Sequence, residues 1–590
     1  MQLYHDSRSL DCRAPFGAVR CGEVIRLRVY VQGRARAVNA VFLADGQAPR
    51  LLPLQHADGE AYEVRFTAPH TPKLMWYYFS AVSEDGQPVY LGNAADGLGG
   101  VGEMSQTQPK PFQITVYDPA YNPPKFLREG IMYQIFPDRF HRTRPPFMTR
   151  DDIYLHEKWD EPPLAIFDPR NGDTHSCDFF GGNLQGIIEK LDYLKSLHIT
   201  VIYLNPIFLA RSNHRYDTGD YMQVDPMLGN EEDLKTLCRE AEKRGMRVIL
   251  DGVFSHTGDG SPYFNRYGRH PGPGAYQGEH SPYYKWYTFE KFPDKYRCWW
   301  GVDTLPEVNK ENEDYREFMF KEDGVARHWL KCGTAGWRLD VADELTMRFL
   351  RDLRKSVDRE KDDAVLLGEV WEDASNKVAY GEMRCYCLGD TLDSVMNYPL
   401  REAAQNFVRG DIDAFAFVRR IESLRENYPV PFFYSLMNLM SSHDRARLLN
   451  TLCGERWESV DPLYRGGLKL PEDKRNLAVR RLKEMWKIFA AMPGMPSLYY
   501  GDEAGMEGAA DPFCRGTFPW GNEDEETMKI TRDALTLRAS RPVLRTGAFE
   551  ITAVDRDTVR IRRYNHSGFD VFGEAVEDDD YQVTVHSVRS

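Results

Sequence analysis

Eight short apolar runs between residues 130 and 503 constrain this chain more than any other feature. They read GIMYQIFP, ITVIYLNPI, MRVILDGVF, AGWRLDV, AVLLGEVW, DSVMNYP, FYSLMNL and PSLYYGDE. Each is too short for a helix and is enriched in β-branched or aromatic residues, as expected of strands buried on both faces. Between several of them lie amphipathic stretches such as LQGIIEKLDYLKSLH and EEDLKTLCREAEKRG, whose apolar residues recur three and four apart. Eight buried strands alternating with helices predict an α/β architecture, the (β/α)8 or TIM barrel.

The flanks have another texture. Residues 1–120 contain short runs such as VIRLRVYVQ, AYEVRFTAP and FQITVYD, punctuated by Gly, Pro and Asp-Gly signals. This spacing predicts an N-terminal β-sandwich, with YDPAYNPPKF as linker into a barrel over 121–540. The third barrel unit carries an insertion, about 257–315, rich in Gly, Pro, Tyr and Trp. It is too long for a simple βα loop and is expected to form a subdomain over the barrel mouth. Residues 541–590 return to strand patterns in AFEITAVD, TVRIRRYN and YQVTVHSV and predict a short C-terminal β domain.

Bulk properties exclude some functions. The chain has 75 basic and 89 acidic residues, a net charge of −14, which argues against nucleic acid or an anionic membrane as partner. No run reaches transmembrane length. The start, MQLYHDSRSLDCRAPFG, lacks the basic end and apolar core of a signal peptide. The ten cysteines form no paired CxxC motifs, so reduced thiols and a cytoplasmic location are expected.

In a barrel, chemistry sits at the C-terminal ends of the strands. Polar residues recur there: Asp251 and His256 on strand three, Arg338, Asp340, Asp343 and Glu344 on strand four, Glu369 and Trp371 on strand five, His443 and Asp444 on strand seven. Charges beside a buried strand are costly unless paired or functional. A single Asp after a strand has as good a claim to a structural ion pair or a helix cap; recurrence on four strands of one barrel shifts the balance. Arg338 and Asp340 share a strand face, and the guanidinium is expected to hold that carboxylate ionised, as suits a nucleophile. The LLG run before Glu369 predicts apolar surroundings that favour its protonated form, as suits a proton donor. Paired carboxylates of this kind serve glycoside hydrolysis, with a third, Asp444, binding sugar hydroxyls and supporting a cationic transition state. His256 and His443 are expected to help as neutral donors.

At these residues the sequence resembles the α-amylase family, glycoside hydrolase family 13. DGVFSH (251–256), GWRLDVADE (336–344), GEVW (368–371) and SSHD (441–444) resemble its four signature regions in order. YLNPIF, YDTGDY, LPEVN and GMPSLYYGDE match accessory regions. The resemblance covers about 120–540. It implies Asp340 as nucleophile, Glu369 as acid/base and Asp444 as transition-state stabiliser, with Tyr216, Asp251, His256, Arg338 and His443 supporting the −1 subsite. Within the family the sequence is most similar to the neopullulanase, cyclomaltodextrinase and maltogenic amylase group. That implies a retaining α-glucan hydrolase acting on α-1,4 and in some members α-1,6 bonds of maltooligosaccharides, cyclodextrins, pullulan or starch. A transglycosylase using the same covalent intermediate is the alternative, and an inactive glucan-binding protein a remoter one. The resemblance also implies a starch-binding-like N-terminal module, through which relatives often form a homodimer.

Some positions depart from the group. Ser255 stands where Asn is usual, and Asp343 where Asn is frequent, changing the charge near the +1 and +2 subsites. The stretch HRTRPPFMTRDD and Asn183 offer few anionic oxygens where relatives bind calcium, so no required cofactor or metal is expected and calcium binding is expected to be weak. Trp299 and Trp300 are the richest aromatic pair near the site and divide between sugar stacking and anchoring the insertion. SPYYKWYTFE reads as subdomain core, LMWYYF (Trp76, Tyr77, Tyr78) as strand packing rather than an exposed platform, 268–280 as a mobile loop or lid, and 574–581 as a solvated acidic loop.

Overall fold

The computed structural model describes residues 1–43, 48–143, 152–165 and 176–589. Its centre is one eight-stranded parallel sheet. The strands are β1 (Met132–Ile135), β2 (Val201–Leu204), β3 (Arg247–Gly252), β4 (Gly336–Leu339), β5 (Val365–Gly368), β6 (Ser394–Val395), β7 (Met437–Leu439) and β8 (Met495–Tyr499). Pairing runs in sequence from β1 to β6, and β8 joins β1 to β7. A parallel bridge between Met396 and Met437 links the β6 and β7 ends, so the sheet closes into a barrel. Every residue of these eight strands except Arg247 is buried. Their continuous apolar runs follow from having side chains inside the barrel on one face and helices on the other.

The helices carry the expected stripe. In α1 (Glu231–Glu242), Leu234, Leu237, Cys238 and Ala241 are buried. Asn230 caps its N-terminus, accepting from the Asp233 N–H while Asp233 accepts from the Asn230 N–H, so two otherwise orphaned donors are satisfied. α2 (Val325–Lys331) and α3 (Met347–Glu360) follow the insertion and β4, and α4 (Ala414–Asn427) follows β6. The insertion after β3 has short strands and turns around an aromatic core. Trp286 lies 5.2 Å from both Tyr263 and Phe318 and 5.1 Å from Tyr315, so SPYYKWYTFE packs as core. The 268–280 loop is exposed over much of its length, yet buried Asn265 holds its base by donating to the His270 and Gly272 carbonyls.

The N-terminal region forms two mainly antiparallel sheets. Strand Val24–Gln32 alternates, with Ile25, Leu27, Val29 and Val31 inward. LMWYYF does not alternate: Tyr77 and Tyr78 are both buried and Trp76 is half-buried, so none of the three is a free platform. This region is tied to the barrel through Glu426 of α4, whose carboxylate meets Arg13 and Arg8, each at 3.2 Å. Gly99, at φ +76°, leaves room for it, because a Cβ there would stand 2.3 Å from Glu426 Oε2. At the other end Ala548–Ala553, Thr558–Tyr564 and Asp580–His586 form an antiparallel sheet. The 574–581 stretch is more than a solvated loop. Glu574 pairs with Lys125 and Arg128, and Asp579 pairs with Arg541.

Just past β8, Glu503 is fully buried and accepts from Tyr133 at 2.5 Å and Tyr193 at 2.8 Å through one oxygen. Burial pushes this carboxyl up to about 7, against the pull of the two hydroxyls. A carboxyl raised in the folded state favours folding below its unfolded value, and that advantage is lost as pH rises through the folded value. Glu503→Gln removes the titration. Between about pH 5 and about pH 8 the stability of Glu503→Gln relative to wild type should therefore move in the variant's favour by about 3 kcal/mol. Melting temperatures of the two proteins at both pH values check this.

Candidate active site

The C-terminal ends of the strands open into a cleft of about 1080 Å³, a size suited to an oligosaccharide-sized ligand. All the candidate residues line it except Asp251 and Arg338, which form its floor. Arg338, on β4, is 1% exposed. Its Nη1 donates to Asp251 Oδ1 and Asp340 Oδ1, both at 2.9 Å, and its Nη2 lies 3.0 Å from Glu369 Oε2. Three neighbouring strands thus bring carboxylates to one cation. Asp251 also accepts from Tyr203 at 2.5 Å and Tyr216 at 2.8 Å.

Glu369 does not sit among apolar groups as the preceding LLG run predicts. Besides Arg338, the Val341 N–H donates to its Oε2 at 2.9 Å and Trp371 Nε1 to its Oε1 at 3.2 Å. The apolar run ends at the strand, and the side chain reaches beyond it into the polar mouth. Val341 adopts a left-handed conformation, φ 37° and ψ 61°, which is strained for a β-branched residue. That turn directs its N–H at Glu369.

The Asp340 carboxyl also differs from expectation. Burial pushes it well above the ordinary carboxylate range, with Arg338 pulling the other way and the carboxylates of Glu369, Asp251 and Asp444 adding to the rise. Burial likewise raises Asp251, opposed by Arg338, and Asp444, opposed by Arg515 and Arg338. One buried guanidinium does not offset so many neighbouring negative charges.

The histidines are neutral. Burial, with Arg515 and Arg338 nearby, holds His443 well below its usual value, and burial takes His256 down to about 4. Gln134 donates to His443 Nδ1 at 2.9 Å, leaving the proton on Nε2, which lies 2.6 Å from the Tyr216 hydroxyl. Tyr216 in turn donates to Asp251. A relay therefore runs from Gln134 through His443 and Tyr216 to Asp251. His256 has both nitrogens engaged: Nε2 donates to the Tyr216 carbonyl at 3.0 Å, and Nδ1 meets the Ser255 hydroxyl at 2.9 Å. It braces Tyr216 instead of holding a donor free for sugar, and the Tyr216 carbonyl, which can only accept, fixes the proton on Nε2.

Both faces of Trp371 are covered, by the Tyr398 ring at 4.1 Å and the Arg445 guanidinium at 4.1 Å. It offers its Nε1–H, not a stacking surface. Trp299 and Trp300 stack at 5.4 Å. Trp299 is half-buried beside His256, whereas Trp300 is 80% exposed. Trp300 Nε1 donates to Glu344 Oε1 at 3.2 Å, and the same oxygen accepts from Tyr380, itself 71% exposed. Lys377 pairs with one oxygen of Asp343 while also meeting Glu372, and Tyr386 donates to the other oxygen.

Sequence reasoning did not single out His214, Lys377, Tyr380, Asp511 or Arg515, which all line the cleft. Arg515 lies 3.6 Å from Asp444 and 2.7 Å from Asp511. Of the calcium stretch, residues 144–151 lie outside the described residues; Asn183 serves as a helix cap, accepting from the Gly186 N–H at 2.8 Å. Among the described residues no helix is long and apolar enough to cross a membrane.

The profile for the alpha amylase catalytic domain matches residues 134–547, and these include every strand of the barrel but the start of β1. The chain belongs to the α-amylase family. An amylopullulanase from Thermoanaerobacterium thermosulfurigenes is 36% identical over 642 aligned positions, covering 100% of this chain and 33% of that protein. This chain thus spans about a third to a half of the amylopullulanases it matches. Neopullulanase 2 from Thermoactinomyces vulgaris is 33% identical, over 77% of this chain and 69% of its own length. The type III pullulan hydrolase from Thermococcus kodakarensis superimposes with a TM-score of 0.65 at 26% identity, covering 99% of this chain and 100% of that one. The neopullulanase group is the one the motifs indicated; the likeness to amylopullulanases along the whole chain was not foreseen from them.

Tyr216→Phe removes the link between His443 and Asp251 while keeping the ring. Turnover should fall by about 10- to 100-fold with an unchanged circular dichroism spectrum. Steady-state kinetics on maltotriose check it.

Proposed function

We propose that this chain is a retaining α-glucan hydrolase. One observation carries the reading: Asp340 and Glu369 rest on the two terminal nitrogens of a single guanidinium at the mouth of the barrel. That arrangement favours the close carboxylate spacing of retaining enzymes, about 5–5.5 Å. Glu369 donates its proton to the glycosidic oxygen as Asp340 attacks the anomeric carbon. The glycosidic bond breaks, the alcohol leaves and a glucosyl ester forms on Asp340. Glu369, now ionised, takes a proton from water, whose oxygen displaces Asp340. The reaction needs one proton on Glu369 and none on Asp340. Asp444 supports the cationic transition state and binds sugar hydroxyls.

Substrates follow from the cleft and the relatives: maltooligosaccharides, cyclodextrins, pullulan or starch, cut at α-1,4 and, as the amylopullulanase likeness supports, α-1,6 bonds. The exposed rings of Trp300 and Tyr380 favour a second reading, in which a sugar acceptor competes with water for the same ester. A homodimer through the N-terminal region and a cytoplasmic location belong to the proposal; ten cysteines with no paired CxxC motif are in keeping with a reducing compartment.

Incubation with pullulan and chromatographic analysis of the products test the reading. Panose marks α-1,4 cleavage and maltotriose marks α-1,6 cleavage. Asp340→Asn should abolish either product. No product from pullulan, cyclodextrins or maltooligosaccharides would overturn the proposal.

A further inference from the structure

Away from the cleft, on the outer ring of helices, three side chains of different chemistry converge. Glu231 opens α1, which leads into β3. His328 lies on α2 and Cys332 one residue beyond its end, one helical turn apart. One ligand atom from each, a carboxylate oxygen, an imidazole nitrogen and the thiol sulfur, lies within 4.8 Å of the other two. No other such trio occurs among the described residues. We infer that Glu231, His328 and Cys332 form a binding site for a divalent zinc ion that clips α1 to α2.

The chemistry and the geometry agree. Oxygen, nitrogen and sulfur donors together suit borderline-soft zinc better than the hard cations calcium and magnesium. A tetrahedral ion with bonds of about 2.0–2.3 Å separates its ligand atoms by about 3.3–3.8 Å. His328 Nε2 and Glu231 Oε2, now 2.9 Å apart, need to open by less than an ångström. The other oxygen of Glu231 is held by Lys235 at 2.7 Å, an outer partner of the kind that orients ligating carboxylates. Glu231 and His328 keep side-chain exposures of 39% and 27%, so an ion has a path in and water can take the fourth position. Zinc binds the thiolate, so binding releases the Cys332 proton to solvent.

Cobalt reports on the site directly. Chelator-treated full chain titrated with Co(II) should develop a thiolate-to-cobalt charge-transfer band saturating at about one ion per chain, and equimolar zinc should remove it. Cys332→Ser should abolish the band and His328→Ala should weaken the binding at least 10-fold. Zinc should raise the melting temperature of the wild type by more than that of either variant. A band that persists in Cys332→Ser, no band in the wild type, or equal zinc stabilisation of all three proteins would overturn the assignment.

Discussion

Arg338 carries a full charge at 1% exposure, and an unpaired cation there would cost several kcal/mol. The fold meets that constraint by surrounding it with Asp251 from β3, Asp340 just past β4 and Glu369 just past β5. The dependence runs both ways. Three carboxylates so close together would repel one another without the guanidinium, and the guanidinium would be stranded without them. Parallel pairing makes the arrangement attainable, since Asp251 and Arg338 are register partners across β3 and β4. Around this centre, the neutral His443 and His256 hold Tyr216 without adding further charge.

The same economy of contacts shapes the outer cleft. Glu344 receives Trp300 from the inserted subdomain and Tyr380 from the hairpin after β5 on a single oxygen. Two loops far apart in sequence are therefore set by one side chain. Asp343, beside it, pairs with Lys377 of that hairpin. The cleft's walls are thus coordinated by the short acidic turn that follows β4.

Much of this was legible in the sequence. The eight apolar runs became the eight strands, because burial on both faces leaves no polar alternation to confuse with a helix. The carboxylates stood out because they follow such runs. What lay hidden depended on contacts between distant segments. That Glu369 is met by donors followed from the Val341 turn, which no periodicity announces. That Trp371 is covered on both faces followed from Tyr398 and Arg445, 27 and 74 positions further along. Arg515 and Asp511 sit in a loop without a repeating pattern, and Gln134 and Tyr203 lay within strand motifs whose inward side chains read as packing.

Val341 shows where backbone stability and chemistry diverge. Left-handed backbone at a β-branched residue holds energy of about 1–3 kcal/mol that a glycine would release. An engineer scanning for strained positions would choose it first. Yet the same twist aims an amide at the Glu369 carboxylate, and a relaxed chain has no reason to keep that direction. Improvement of this scaffold by backbone relaxation is therefore bounded at position 341, where a sturdier turn is a less accurate one.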